Sequence, residues 1–253
     1  MHSLLRAGRY IFAIALIADS ILQIRIGEFI ICRPPAWPFH FNGSAIWAYV
    51  SAGIFIITAL SVIINHKAAM PLLLLSGALL ILYAVVPFLK GTVMDAFKLQ
   101  FRTNEFKCLA MSGGMFMLAA TFAKQAPSPN SLPVLSGRVL LALFFLIAGI
   151  QHFQYVEFVE SLIPAFIPAH EFWTYFTAIA LLAGGIGILI NKTLYPAALL
   201  SGIMVFCWFG MLHIPRAMIT PKGDDEWKGV FESLAFSGLF FAMAGIKRLS
   251  KKS

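Results

Sequence analysis

Long stretches of this chain carry no charge at all. Residues 45–64, 68–89, 172–191 and 193–215 contain no Asp, Glu, Lys or Arg. A helix rises about 1.5 Å per residue, so roughly 20 such residues cross the ~30 Å hydrocarbon core of a bilayer. Residues 139–156 form a slightly shorter uncharged run and 108–123 a shorter one again. A hydrophobic fraction of 60%, a charged fraction of 12% and a mean hydropathy of +0.84 set a soluble helical bundle aside.

An internal repeat is the second constraint. Gly8-Arg9-Tyr10-Ile11-Phe12-Ala13 returns 129 residues later as Gly137-Arg138-Val139-Leu140-Leu141-Ala142. The same offset carries Glu28-Phe29 onto Glu157-Phe158 and Pro35-Ala36-Trp37 onto Pro164-Ala165-Phe166. After two small slips, Trp47, Tyr49 and Asn65 meet Trp173, Tyr175 and Asn191, and Phe106 and Ser112-Gly113 meet Phe231 and Ser237-Gly238. The two least apolar candidate spans contain Asp19 and Glu232, and their counterparts near 139–153 and 106–123 support counting both. The expected fold is an all-α membrane protein with eight transmembrane helices arranged as two parallel four-helix repeats. Residues 1–124 form the first repeat, 125–136 a Pro/Ser linker, and 137–253 the second. The apolar stretch after Arg6 could pass for a signal peptide, but it recurs internally and is read as a retained first helix.

An even number of spans puts both termini on one side. That side collects Arg6, Arg9, Lys67, Lys124, Arg138, Lys192 and the basic C-terminus without one acid, while every acid except Asp19 falls opposite. Short basic connections favour the cytoplasm. The expected location is the bacterial inner (cytoplasmic) membrane with both termini cytoplasmic and residues 157–168 and 224–226 facing away. The net charge of +8 then reads as anchoring at anionic lipid. No aromatic-interleaved basic groove calls for a nucleic-acid partner. Cys32, Cys108 and Cys207 match no zinc spacing. Cys207 reads as a small apolar residue in mid-helix. Cys32 and Cys108 are expected near one membrane face, where a bridge is open to them, but their counterparts Ser161 and Ser233 show that the fold does not require it.

Between the first and second helix of each half lies a stretch too broken to span. In the second half it ends Ile163-Pro164-Ala165-Phe166-Ile167-Pro168, and in the first it includes Arg33-Pro34-Pro35-Ala36-Trp37-Pro38-Phe39. Proline stops a helix and Phe and Trp favour the headgroup region, so the stretch reads as an interfacial cap or as a lid tucked into the bundle. Gly149-Ile150-Gln151-His152-Phe153, then Phe158, the Ile163–Pro168 motif and Gly184-Gly185-Ile186-Gly187 together resemble the DoxX family of bacterial and archaeal membrane proteins. The resemblance covers the second half nearly end to end, through Leu212-His213-Ile214-Pro215 and Phe231-Glu232-Ser233-Leu234, and the first half more loosely. It implies a four-helix membrane unit, here doubled. Some members are linked to thiosulfate:quinone oxidoreductase or to oxidative-stress assemblies, many have no assigned activity, and a shared fold does not transfer chemistry.

Comparing the halves sharpens the candidate site. His152, His213 and Glu232 are expected at similar depth near the outer ends of the fifth, seventh and eighth helices, with Gln151 and Arg216 close by. Their first-half counterparts are Gln23, about Phe88, and Lys107, so the fold does not demand the set. Two imidazoles and a carboxylate suit a divalent metal, a proton relay or hydrogen bonds to a quinone head group. The plainer alternative is a set of interfacial residues facing water. Asp19, matched by Ala148, is expected near mid-bilayer as a hydrogen-bonded acid or a proton-path residue. The candidate ligand-binding residues are therefore Gln151, His152, His213, Arg216, Glu232 and Asp19, with His152, His213 and Glu232 the candidate metal set. Trp47 and Trp173 read as interface anchors, and Gly184, Gly185 and Gly187 as close helix contacts.

Three functions stay open. One is a quinone-contacting accessory subunit working with a redox protein partner. The second is a transporter or binding protein for a small molecule or lipid, and the third a non-catalytic scaffold. No CxxC, CxxCH or Rossmann glycine pattern gives the chain electron transfer of its own, and its residues leave open whether it is an enzyme.

Overall fold

A computed structural model describes residues 3–32, 44–90, 103–220 and 223–250. The first half contains α1 (Ser3–Ile26), α2 (Ser44–Ile63), α3 (Ala69–Lys90) and α4 (Thr103–Ala120). The second contains α5 (Leu132–Gln154), the short α6 (Val156–Leu162), α7 (His170–Leu189), α8 (Leu194–Trp208), a π turn (Phe209–His213), α9 (Ile214–Ile219) and α10 (Asp224–Leu249). No strand occurs among the described residues. Among the described residues six helices are long and apolar enough to cross a membrane, with α8, the π turn and α9 running on as one span, Leu194–Ile219. Helix α3 carries a shorter apolar run, Ala69–Val85, and α4 includes Glu105 and Lys107. Large apolar side chains such as Ile14, Ile21, Leu200 and Met218 point outward, where lipid solvates them. The chain is an integral membrane protein.

Lipid tails are as apolar as leucine, so helices in a bilayer associate through close backbone packing and polar contacts. Two junctions between the halves show this. Helix α1 packs along α10, and α4 along α5. A Cβ on Gly8 would sit 2.4 Å from the Ala242 nitrogen, and one on Gly238 2.6 Å from the Phe12 nitrogen. At the other junction a Cβ on Gly137 would sit 2.6 Å from the Gly113 carbonyl oxygen. Backbone meets backbone at these points, and only glycine leaves the room. The Gly184–Gly187 stretch packs as expected, since a Cβ on Gly185 would lie 3.0 Å from the Ala142 oxygen. Trp47 and Trp173 remain exposed, as anchors should.

Two arginines counted above among the cations of one face are instead buried, each 2% exposed. Arg9 donates to the Thr121 carbonyl at 2.6 Å, to the Thr121 hydroxyl and to Asn65 Oδ1 at 3.2 Å, and lies 3.8 Å from the Phe122 ring centroid. Arg138 donates to the Ile188 and Leu189 carbonyls at 3.1 Å each and to Asn191 Oδ1 at 3.0 Å. The last carbonyls of a helix have no partner within it, and a planar guanidinium with five donors satisfies several at once. Asn65 also ends α2. Its φ of 53° is left-handed, and the bonds His66 N to Ser61 O (2.8 Å) and Asn65 N to Val62 O (3.2 Å) form a Schellman cap.

Candidate functional site

Residues of α4, α5, α7, α8, the π turn, α9 and α10 line an open cavity of about 660 Å³, with α6 forming one side. Phe144, Phe145, Leu181, Val205, Trp208 and Phe236 make its apolar wall. Gln151, His152, His213, Arg216 and Glu232 also line it, so the structure brings five of the six candidate residues to one space. Thr103, Lys107 and Lys228 join them.

His213 reaches the cavity because its helix is not regular. Pro215 has no N–H to give the Met211 carbonyl, and its ring would clash there. The helix widens at that point into the π turn Phe209–His213. On α10 the opposing residue is Gly229, where a Cβ would lie 2.9 Å from His213 Nδ1. His213 makes no hydrogen bond among the described residues. The other imidazole is half engaged. His152 Nδ1 lies 2.7 Å from the Ala148 carbonyl, which can only accept, so Nδ1 carries the proton. Nε2 of His152 has no partner among the described residues.

The acidic member is held by a residue from the other half. Lys107 Nζ lies 2.6 Å from Glu232 Oε2, with the two side chains 19% and 5% exposed, and Glu232 Oε1 has no hydrogen-bond partner among the described residues. Arg216 is a strut. Its Nε donates to Glu226 at 3.0 Å and its Nη1 to the Leu162 carbonyl at 3.2 Å, tying α9 to α10 and to the end of α6. Lys228 lies 3.7 Å from Asp225, and Gln151 exchanges hydrogen bonds with Thr103 at 3.0 and 3.2 Å.

Among the described residues no three His, Cys, Asp or Glu side chains are grouped to hold a metal ion, the set His152, His213 and Glu232 included. Glu232 Oε2 is engaged by Lys107, and His152 Nδ1 by the Ala148 carbonyl. Asp19 is not part of the cavity wall. It is fully buried on α1, and neither carboxyl oxygen has a hydrogen-bond partner among the described residues. The contacts of Gly245 with Leu5, Gly8 with Ala242 and Gly238 with Phe12 set an antiparallel register. Continued along the helices, that register brings Asp19 level with Phe231 and Glu232. Glu232, Lys228 and Lys107 are its electrostatic neighbours.

Among the described residues of the first half, the stretch after α1 is packed into the interior. Gly27, at φ 78°, turns the chain back after α1, and Ile30, Ile31 and Cys32 are fully buried. Ile30 N donates to Gln23 Oε1 at 3.3 Å, while Gln23 Nε2 donates to the Ala48 carbonyl (2.8 Å) and to Ser51 Oγ (2.9 Å). In the second half the matching residues belong to α6, none of which is buried, and Phe158 is 64% exposed. The first-half motif at 33–39 lies outside the described residues. Cys32 and Cys108 are free and buried rather than bridged, with Cys108 Sγ 3.9 Å from the Cys32 carbonyl oxygen, and Cys207 is exposed.

A family described as a domain of unknown function (DUF8561) matches residues 141–228, a segment that runs from α5 into α10 and includes His152, His213 and Arg216. No curated protein and no solved structure matches the chain.

Proposed function

We propose that the chain is a doubled DoxX-like unit whose second half binds a lipophilic molecule with a quinone-type head group, as an accessory subunit to a redox protein. Eight spans in two parallel repeats, residues 1–124 and 137–253 joined by the linker 125–136, belong to the same proposal. Its support is recurrence. Helix α1 lies on α10 as α5 lies on α4, and α3 lies on α4 as α8 lies on α10. The pairs Gly8–Gly238 and Gly137–Gly113, and Arg9–Asn65 and Arg138–Asn191, occupy matched positions. The first helix of each unit thus packs on the last helix of the other, which interlocks the halves about an axis along the membrane normal. Basic short connections support cytoplasmic termini in a bacterial inner membrane, with α6 on the outer side.

One observation carries the binding reading: an aromatic cavity with a few polar groups, among them two imidazoles that have ring nitrogens to spare. Ligand sites are mostly apolar hollows of about 300–1,000 Å³ with a few placed polar groups, and the 660 Å³ here lies within that range. A quinone ring offers flat faces to Phe144, Phe236 and Trp208, and oxygens to the polar groups. The test uses the purified chain in lipid nanodiscs with decylubiquinone as probe, read by tryptophan fluorescence. Saturable quenching that is diminished in Trp208→Phe and lost in a folded Ala148→Phe variant supports the reading. Unsaturable quenching that is the same in all three proteins refutes it.

A further inference from the structure

We infer that His152 Nε2 is a hydrogen-bond acceptor toward the cavity, so that the site selects lipophilic hydroxyl donors: hydroquinones and phenols over the corresponding quinones and methyl ethers. This rests on the cavity being a ligand site. The Ala148 carbonyl fixes the proton of the ring on Nδ1 at 2.7 Å, and a neutral imidazole with one N–H presents a lone pair at its other nitrogen. No carboxylate bonds the ring among the described residues, so nothing there pairs with an imidazolium.

The first half supplies an independent argument. Position 23 matches position 152 in the repeat. There Gln23 points its amide oxygen at the segment that fills the interior and accepts the N–H of Ile30 at 3.3 Å. Its own N–H group is turned to the Ala48 carbonyl, which lies on another helix. At both positions the donor of the side chain is spent on a backbone carbonyl, and its acceptor is left for whatever occupies the interior. In the first half the occupant is the chain's own backbone amide. In the second half the matching amide, Val159 N, is bonded within α6 to the Tyr155 carbonyl at 3.0 Å, and a ligand hydroxyl supplies the equivalent donor. A quinone carbonyl or an ether oxygen at that point would set acceptor against acceptor, leaving both unpaired in a largely apolar space.

The experiment compares matched ligands on the full chain in nanodiscs. The redox pair is decylubiquinol, kept reduced under anaerobic conditions, against decylubiquinone. The redox-inert pair is 4-nonylphenol against its methyl ether. Affinities are read by tryptophan quenching and by competition. The hydroxyl member of each pair should bind about tenfold or more tightly. His152→Gln, which keeps an acceptor, should retain the preference, and His152→Leu should abolish it. Equal binding of both members, or preference for the quinone or ether, overturns the inference and leaves the cavity reading standing. If no member of either pair binds saturably, the cavity reading itself is lost and the inference falls with it.

Discussion

The largely buried pair Lys107–Glu232 joins α4 to α10, and breaking it makes a quantitative test of that packing. At 2.6 Å the attraction between unit charges is on the order of 6 kcal/mol at an effective dielectric constant of about 20. Desolvation of both ions offsets much of that, so the net worth of the intact pair against a well-packed apolar pair is near zero. Removing one partner is different, because it strands a buried charge at a cost of about 3–5 kcal/mol. Glu232→Gln strands Lys107. Asp19 lies level with Glu232, has no hydrogen-bond partner among the described residues and is within electrostatic reach of Lys107, so it is placed to relieve the lysine in part. Glu232→Gln should therefore fall near the lower end of that range, and Asp19→Asn/Glu232→Gln near the upper end. Lys107→Met/Glu232→Leu should return to within about 1 kcal/mol of the unmodified chain. Reversible unfolding by SDS in mixed micelles, followed by tryptophan fluorescence, measures all three. A loss under about 1 kcal/mol for Glu232→Gln, or a double apolar variant as unstable as the single ones combined, would show that the two residues are not a buried pair.

Other consequences follow from individual contacts. Gly8→Ala and Gly137→Ala push backbone against backbone, and each should destabilise by about 1–3 kcal/mol in the same assay, whereas Gly53→Ala, with nothing within 4 Å, should be neutral or stabilise by up to about 1 kcal/mol. A neutral Gly8→Ala would refute the close approach of α1 and α10. Pro215→Ala restores a backbone donor and lets the π turn relax to an α-helix, so the fold should be as stable or more so while quenching by decylubiquinone weakens. Unchanged binding would mean that the widened turn does not place His213. A lipid-soluble maleimide should label Cys207 in the folded protein, and Cys32 and Cys108 only after denaturation, with mass spectrometry counting the adducts. More than one adduct on the folded chain would contradict the burial.

Sequence by itself determined that the chain is helical and lives in lipid. A backbone in hydrocarbon must satisfy its own hydrogen bonds, so runs such as 45–64 and 172–191 have little choice but to become helices. Those runs appear as α2 and α7. Prolines likewise marked 163–168 as a break, and the structure ends α6 just before it. The candidate residues stood out because the two halves differ there, which needs no knowledge of packing. What tertiary structure alone decided is who meets whom. A charge count placed Arg9 and Arg138 at a membrane face, whereas unpaired carbonyls at the ends of other helices draw both inside. Comparison of the halves set Lys107 and Glu232 down as alternatives at one position, and the contact of α4 with α10 makes them neighbours. The clue available was their opposite charge. The matched stretches after α1 and α5 both contain Glu-Phe, yet one is buried in the core and the other is a helix beside a cavity. Hydropathy acts on each segment separately, but partner choice depends on close backbone approach and on polar groups far apart in the chain. These are properties of pairs of helices that no single stretch of sequence contains.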